Sequence, residues 1–149
     1  MPLTSTQLPE SLARLVKRFQ RLSDPKQRYE QLILYGQKLK DFPPELKVAE
    51  NKVPGCVSQV YVIATLSPEG RVFFSGDSDA LISKGFVGLL AAGMNGLTPT
   101  EIQALSADFV QDTGLSVSLT PSRANGFMNV FHKMQQKAAE LVHHNNYSL

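Results

Sequence analysis

One stretch of this chain has the residue pattern of β-structure, and helical patterns lie on both sides of it. Val57–Leu66 is rich in Val, Ile, Tyr and Thr, which predicts a strand buried on both faces. Ser67-Pro68-Glu69-Gly70 predicts a turn, and Arg71–Ser75 a returning strand, so the segment reads as an antiparallel hairpin. Asn51–Val53 is placed to add a short third strand. Before the hairpin, Leu8, Leu12, Leu15, Phe19 and Leu22 recur at steps of four, three, four and three, the stripe of an amphipathic helix. Asp24 as N-cap, Pro25 at the first helical position and Gln27 at N3 open a second helix. It runs to about Leu39, burying Tyr29, Leu32, Ile33, Gly36 and Leu39, and Pro43-Pro44 ends it. Residues 41–55 read as irregular.

After the hairpin, Gly76-Asp77-Ser78-Asp79 leaves the sheet and supplies N-cap residues. Ala80–Gly93 follows as a nearly all-apolar helix, closed by Asn95-Gly96. Its glycines, Gly85, Gly88 and Gly93, imply close packing on the sheet, because each costs up to about 1 kcal/mol of helix stability against Ala. Thr98-Pro99-Thr100-Glu101 is a capping box that opens a short helix to about Leu105, and 106–121 reads mostly as loop. Phe127, Val130, Phe131, Met134, Ala138 and Leu141 form the apolar face of a last helix, with His143–Leu149 as a frayed tail. The order helix-helix, strands, helices predicts an α+β fold, a small antiparallel sheet of about three strands packed with helices. A chain of 149 residues suits one domain spanning 1–149.

Composition narrows the function. A net charge of +2 gives no strong field for nucleic acid. The basic face of the first helix (Arg14, Lys17, Arg18, Arg21) lacks interleaved aromatic residues and reads as solvated. The longest uncharged runs, Val53–Pro68 and Gly85–Thr100, fall short of the ~18 residues a bilayer span needs, and no secretory signal opens the chain. We therefore expect a cytoplasmic protein with no membrane and no nucleic-acid partner. One cysteine forms no internal disulfide and, with three histidines, no zinc site of the cysteine-rich kind. His143-His144 reads as tail, since no third ligand is evident.

The residue left to explain is Cys56, which follows the Pro54-Gly55 turn at a loop-to-strand junction. Its bland role is a small buried hydrophobe. A hydrolase would need a histidine base, for which His132 is the one candidate in the folded part. A disulfide oxidoreductase would need a second cysteine. Attack on sulfur, accepting it as a persulfide and passing it on, asks only for one accessible thiol.

Several ordered motifs then resemble one family. They are Asn51, Val53, Gly55-Cys56 and Ser58-Gln59-Val60, then Gly76-Asp77-Ser78-Asp79-Ala80 with Lys84-Gly85, then Thr98-Pro99. Leu119-Thr120-Pro121-Ser122-Arg123 with Asn125-Gly126, and upstream Arg28-Tyr29 and Leu32-Ile33, continue the series. The chain resembles the SufE family of cysteine desulfuration proteins from roughly Phe19 to Val142. The resemblance implies the α+β fold shared with U-type scaffolds and a PLP-dependent, SufS-like cysteine desulfurase as partner. It further implies a downstream iron–sulfur scaffold and no cofactor of the chain's own. It puts the acceptor cysteine at Cys56 and a possible supporting charge at Arg123, with Gly55, Ser58, Gln59, Asp77 and Asp79 as partner-binding candidates. Tyr61, where the family commonly has Trp, and Val57, where a polar residue is frequent, depart from it. A silent binding or scaffold module of the same fold is the alternative.

With the resemblance added, Val53, Pro54 and Val57 are expected to shelter a persulfide and to raise the thiol pKa by desolvation. Arg123 has a second possible role, an ion pair with Asp77 or Asp79, and these two aspartates a second role as helix caps. Gly126 has space to admit the Cys56 loop.

Overall fold

The structure, a computed structural model, describes residues 8–147. Helix α1 (Glu10–Gln20) buries Leu12, Leu15, Val16 and Phe19, the predicted stripe, with Leu8 buried just before it. Helix α2 (Pro25–Gln37) starts as read: the Asp24 carboxylate accepts the Lys26 N–H at 3.0 Å, with Pro25 at the first position. Its buried face is Leu32, Tyr35 and Gly36. Tyr29, Ile33 and Leu39 are only half-buried, and Tyr35 takes their place by stacking on Phe19 at 6.2 Å between ring centres. Two short 3-10 turns, Pro44–Leu46 and Ala49–Asn51, carry the irregular stretch toward Cys56.

The hairpin is shifted from its predicted bounds. Strand β1 is Val60–Leu66 and β2 is Val72–Ser78, paired antiparallel from Val60↔Ser78 to Leu66↔Val72. The Val57–Gln59 segment bends before the strand begins, while β2 continues through Gly76-Asp77-Ser78, read above as leaving the sheet. β1 is buried on one face, through Val60 and Val62, and not on both, because helices cover one side of the sheet. The expected third strand is reduced to a bridge, Lys52↔Tyr61, with the Val53 N–H donating to Val60 O at 2.8 Å. A lone hairpin is marginal in water and its edges invite pairing. Here the outer edge of β2 is closed by the turn after α3. Phe74 N–H donates to Asn95 Oδ1 at 2.8 Å, Val72 N–H to Leu97 O at 2.8 Å, and Gly96 N–H to Val72 O at 2.9 Å.

Helix α3 (Leu81–Met94) occupies the centre, packed against α1, α2, β2 and the last helix. Its N-cap is Ala80, with no side-chain cap bond, so neither Asp77 nor Asp79 caps it. Its glycines serve the helix pair α2/α3 and α1, rather than the sheet. A methyl group at Gly88 would fall on the Tyr35 carbonyl and within 2.8 Å of Gly36 N, whereas one at Gly93 would meet only the end of the Leu12 side chain, at 2.5 Å.

Thr98 and Glu101 complete the predicted capping box of α4 (Pro99–Gln103). The expected loop at 106–121 holds two single turns, α5 (Phe109–Asp112) and α6 (Leu115–Ser118). Helix α7 (Pro121–Tyr147) then crosses β1, α3 and α4, burying Phe127, Val130, Phe131, Met134 and Ala138. It runs through Tyr147, into the stretch expected to fray; Ser148, Leu149 and the side chains of His143 and His144 lie outside the described residues, as do residues 1–7.

The two glycine contacts predict an order of cost. Gly88→Ala sets a methyl against rigid backbone and is expected to lose about 2 kcal/mol net of its gain in helix propensity, lowering Tm by roughly 4–8 °C. Gly93→Ala meets a movable side chain and is expected to stay within about 1 kcal/mol of wild type. Urea unfolding that ranks the two equally would contradict the close α2/α3 approach.

Candidate functional site

Cys56 lies between the turn at Pro54-Gly55 and the start of β1, half-buried, at a cleft of about 460 Å³. Gly55 has φ +76°, and a Cβ there would stand 2.7 Å from Asn129 Nδ2 of α7. Both the left-handed backbone and the close approach require glycine before the thiol. The thiol donates to Gly126 O at 3.8 Å, a weak bond. A methyl on Gly126 would lie 4.0 Å from the sulfur, an ordinary contact, so room for the loop does not depend on that glycine.

The cleft is built from three segments. The Cys56 loop gives one wall. The first turns of α3 give the second, through Ile82, Ser83 and Phe86, and Ser58 Oγ and Ser83 Oγ share a hydrogen bond of 2.9 Å. The start of α7 gives the third, through Thr120, Ser122 and Arg123. Thr120 Oγ1 accepts the Arg123 N–H at 3.3 Å and fixes that first turn. Phe86 forms the floor, 4.9 Å from Phe127 between ring centres. The expected shelter from Val53, Pro54 and Val57 is not what forms. Val53 is buried below the loop, Pro54 is exposed, and Val57 is 94% exposed. Residues of α3 and α7, far away in sequence, line the cleft beside the sulfur instead, and partial burial pushes the Cys56 thiol above its ordinary pKa.

The predicted site residues fall into two neighbouring groups. Cys56, Ser58 and Arg123 share the thiol cleft. Gln59, Asp77 and Asp79 line a smaller recess of about 100 Å³ beside it, with Lys47 and Tyr61. Asp79 ties the base of the loop: Gln59 N–H donates to its Oδ1 at 3.0 Å, and Asp79 N–H donates to Gln59 O at 3.3 Å. Asp77 pairs with Lys47 at 3.1 Å and Lys84 at 3.5 Å. Burial alone would raise its carboxyl pKa; the Lys47 hydrogen bond, the Ser78 backbone and the two lysine charges outweigh that and hold it below the ordinary value. The ion pair considered for Arg123 with Asp77 or Asp79 does not form, and among the described residues its guanidinium pairs with no carboxylate. His132 is exposed on α7 and is not among the cleft residues, so it does not stand as a base for Cys56.

The sequence reading missed Phe86, Ile82 and Ser83 as cleft residues, although their spacing puts them on one side of the first turns of α3. It also missed a brace behind the loop. Lys137 Nζ donates to Asn51 Oδ1 at 2.7 Å, and Asn51 Nδ2 donates to Leu46 O at 2.8 Å, fastening the approach to Cys56 onto α7. Among the described residues no group of three His, Cys, Asp or Glu could hold a metal ion, and no helix is long and apolar enough to cross a membrane.

The raised thiol has a measurable consequence. Since only the thiolate is alkylated, Cys56 is expected to react with iodoacetamide more slowly than free cysteine at pH 7.5, with a rate still climbing above pH 9. A plateau by pH 8 would mean that burial does not govern its ionisation.

Comparison with known proteins gives the family. The profile of the SufE family, described as an Fe-S metabolism associated domain, matches residues 13–138. An uncharacterized SufE-like protein of Synechocystis is 59% identical over 136 residues, 91% of this chain and 85% of that protein. A SufE-like protein of Arabidopsis thaliana, named chloroplastic/mitochondrial, is 44% identical over 135 residues, and the cysteine desulfuration protein SufE of Plasmodium vivax is 37% identical over 139. Each match covers 91% of this chain, but it spans only 36% of the Arabidopsis protein and 55% of the Plasmodium one. The solution structure of a hypothetical protein from Thermus thermophilus superposes with a TM-score of 0.77 at 25% identity, covering 91% of this chain and 98% of that one. With an α+β fold, a lone cysteine at a cleft and a profile match over most of its length, the chain belongs to the SufE family.

Proposed function

We propose that this chain is a sulfur acceptor, one domain over 1–149, that takes a persulfide sulfur from a PLP-dependent cysteine desulfurase onto Cys56. The sulfur then passes to a downstream iron–sulfur scaffold. The observation that carries this reading is the placement of Cys56 at a cleft whose one formally charged lining residue, among those described, is Arg123, in a member of the SufE family. The desulfurase brings the PLP, and this chain supplies the thiol. A reducing compartment, in our reading the cytoplasm, keeps that thiol available.

The transfer balances without an oxidant. The Cys56 sulfur attacks the outer sulfur of the desulfurase persulfide. A new S–S bond forms on Cys56, and the S–S bond of the desulfurase breaks. The electron pair leaves with the desulfurase cysteine sulfur, which takes up the proton that Cys56 gave up. The product is a Cys56 persulfide and a free desulfurase thiol.

Shelter and activation pull in opposite directions. A covered sulfur protects a labile persulfide, but burial also disfavours the attacking thiolate. Loop geometry supports a way out. Among the described residues the thiol makes one hydrogen bond, the weak 3.8 Å bond to Gly126 O, while Asn51–Lys137 and Gln59–Asp79 secure the loop on either side. A loop fixed at its ends and loose at its tip can turn the thiol outward at a partner surface. Arg123 supports the charged forms that result, first thiolate and then persulfide anion.

Intact mass tests the acceptor role. Incubation with a SufS-like desulfurase and cysteine, without reductant, is expected to add about 32 Da, one sulfur, removable by reductant. Cys56→Ser should show no gain, and His132→Ala should gain as wild type does. Wild-type protein that stays at its starting mass, while Cys56 still alkylates, would refute the acceptor reading.

A further inference from the structure

Two apolar side chains flank the mouth of the Cys56 cleft with little cover from this chain. Val57, next to the thiol, is 94% exposed, and Leu81, at the start of α3, is 64% exposed. They are the two most exposed large apolar side chains among the described residues, and both line the cleft. Leu34, Val48, Phe73 and Val142 are each less than half exposed and lie outside it. Scattered exposed apolar residues are ordinary; a pair lining the cleft that holds Cys56 has the placement of a contact surface.

The charge and size of the cleft say what fits between them. Among the described residues Arg123 is the one formally charged residue lining it, so the cleft favours an anionic group. Its volume of about 460 Å³ exceeds what a single sulfur atom fills and falls within the roughly 300–1,000 Å³ of ligand-binding clefts. The geometry therefore calls for a segment that is anionic at its tip and apolar at its flank.

Resting on the sulfur-acceptor reading, we infer that Val57 and Leu81 are apolar lips that close on an apolar side chain beside the persulfide-bearing cysteine of the desulfurase. The persulfide anion then faces Arg123. The occupant is an extended segment of the desulfurase with an aliphatic or aromatic residue next to its reactive cysteine. Closing the lips shuts water out of the cleft, which strengthens the attraction of Arg123 for the sulfur anion and protects the persulfide. Exposed apolar side chains gain buried area, and with it affinity, only when a partner is docked on them.

The test titrates the wild-type chain, Val57→Gln, Leu81→Gln and the double variant into a SufS-like desulfurase turning over cysteine. Both positions are exposed, so folding is unaffected. The double variant is expected to need about tenfold more protein for half-maximal stimulation, with its maximal stimulated rate within about twofold of wild type. Alkylation of Cys56 by iodoacetamide without the desulfurase should also stay within about twofold. Leu34→Gln, an exposed apolar residue outside the cleft, should behave as wild type. An unchanged half-maximal concentration beside a stimulating wild type overturns the lips. So does a lowered maximal rate with altered alkylation, because the side chains would then be acting on the thiol itself. Wild type that neither stimulates the desulfurase nor gains sulfur overturns the acceptor reading, and the lips with it.

Discussion

Helix α3 has almost no face to give to solvent. From Gly85 to Met94 every residue but Ala92 is buried, so the helix is stable only when other elements surround it. α1 and α2 cover one side, β2 another and α7 a third. The missing side chains at Gly85 and Gly88 let α2 approach until backbone meets backbone. Burying side chains such as Phe86, Leu89 and Leu90 contributes roughly 1.5–3 kcal/mol each, enough to outweigh the propensity lost at the glycines. The hairpin, too small to stand alone, is held because Gly76 of β2 lies directly under Val87 and because the turn after α3 closes its edge.

The same helix governs the thiol. Its first turns reach the surface, and there Ile82, Ser83 and Phe86 become the wall and floor of the Cys56 cleft. One wall of the cleft is therefore an element whose position is fixed by the core, while the loop that bears the sulfur is tied on either side by Asn51–Lys137 and Gln59–Asp79. Partial burial of the sulfur disfavours its thiolate and raises its pKa.

Charged residues near the site divide by task. Asp77 is neutralised by Lys47 and Lys84 and stabilises the end of the hairpin, and Asp79 extends the ladder by one reciprocal pair with Gln59. Neither is spent on capping α3, although their spacing suits it, because β2 runs three residues longer than its apolar pattern. Arg123 is left without a carboxylate among the described residues, in a cleft otherwise neutral, and that asymmetry gives the site its sign.

Most helices were legible because their signals are local: the stripe of α1, the Asp24-Pro25 start of α2, the Thr98 box of α4 and the apolar face of α7. The position of Cys56 just after a turn was legible too, from the Pro54-Gly55 pair before it. Three features were not. The third strand shrank to a bridge, the glycines of α3 turned out to face helices rather than the sheet, and the cleft at the thiol drew walls from α3 and α7, far away in sequence. Each depends on which surfaces meet across tens of residues. A sequence by itself determines periodicity, caps, turns and the chemical kinds of side chain available, because these act over a few residues. Tertiary packing decided which faces close on α3, how far Cys56 is desolvated and that Val57 and Leu81 stay uncovered, because burial is set by distant elements competing for the same space.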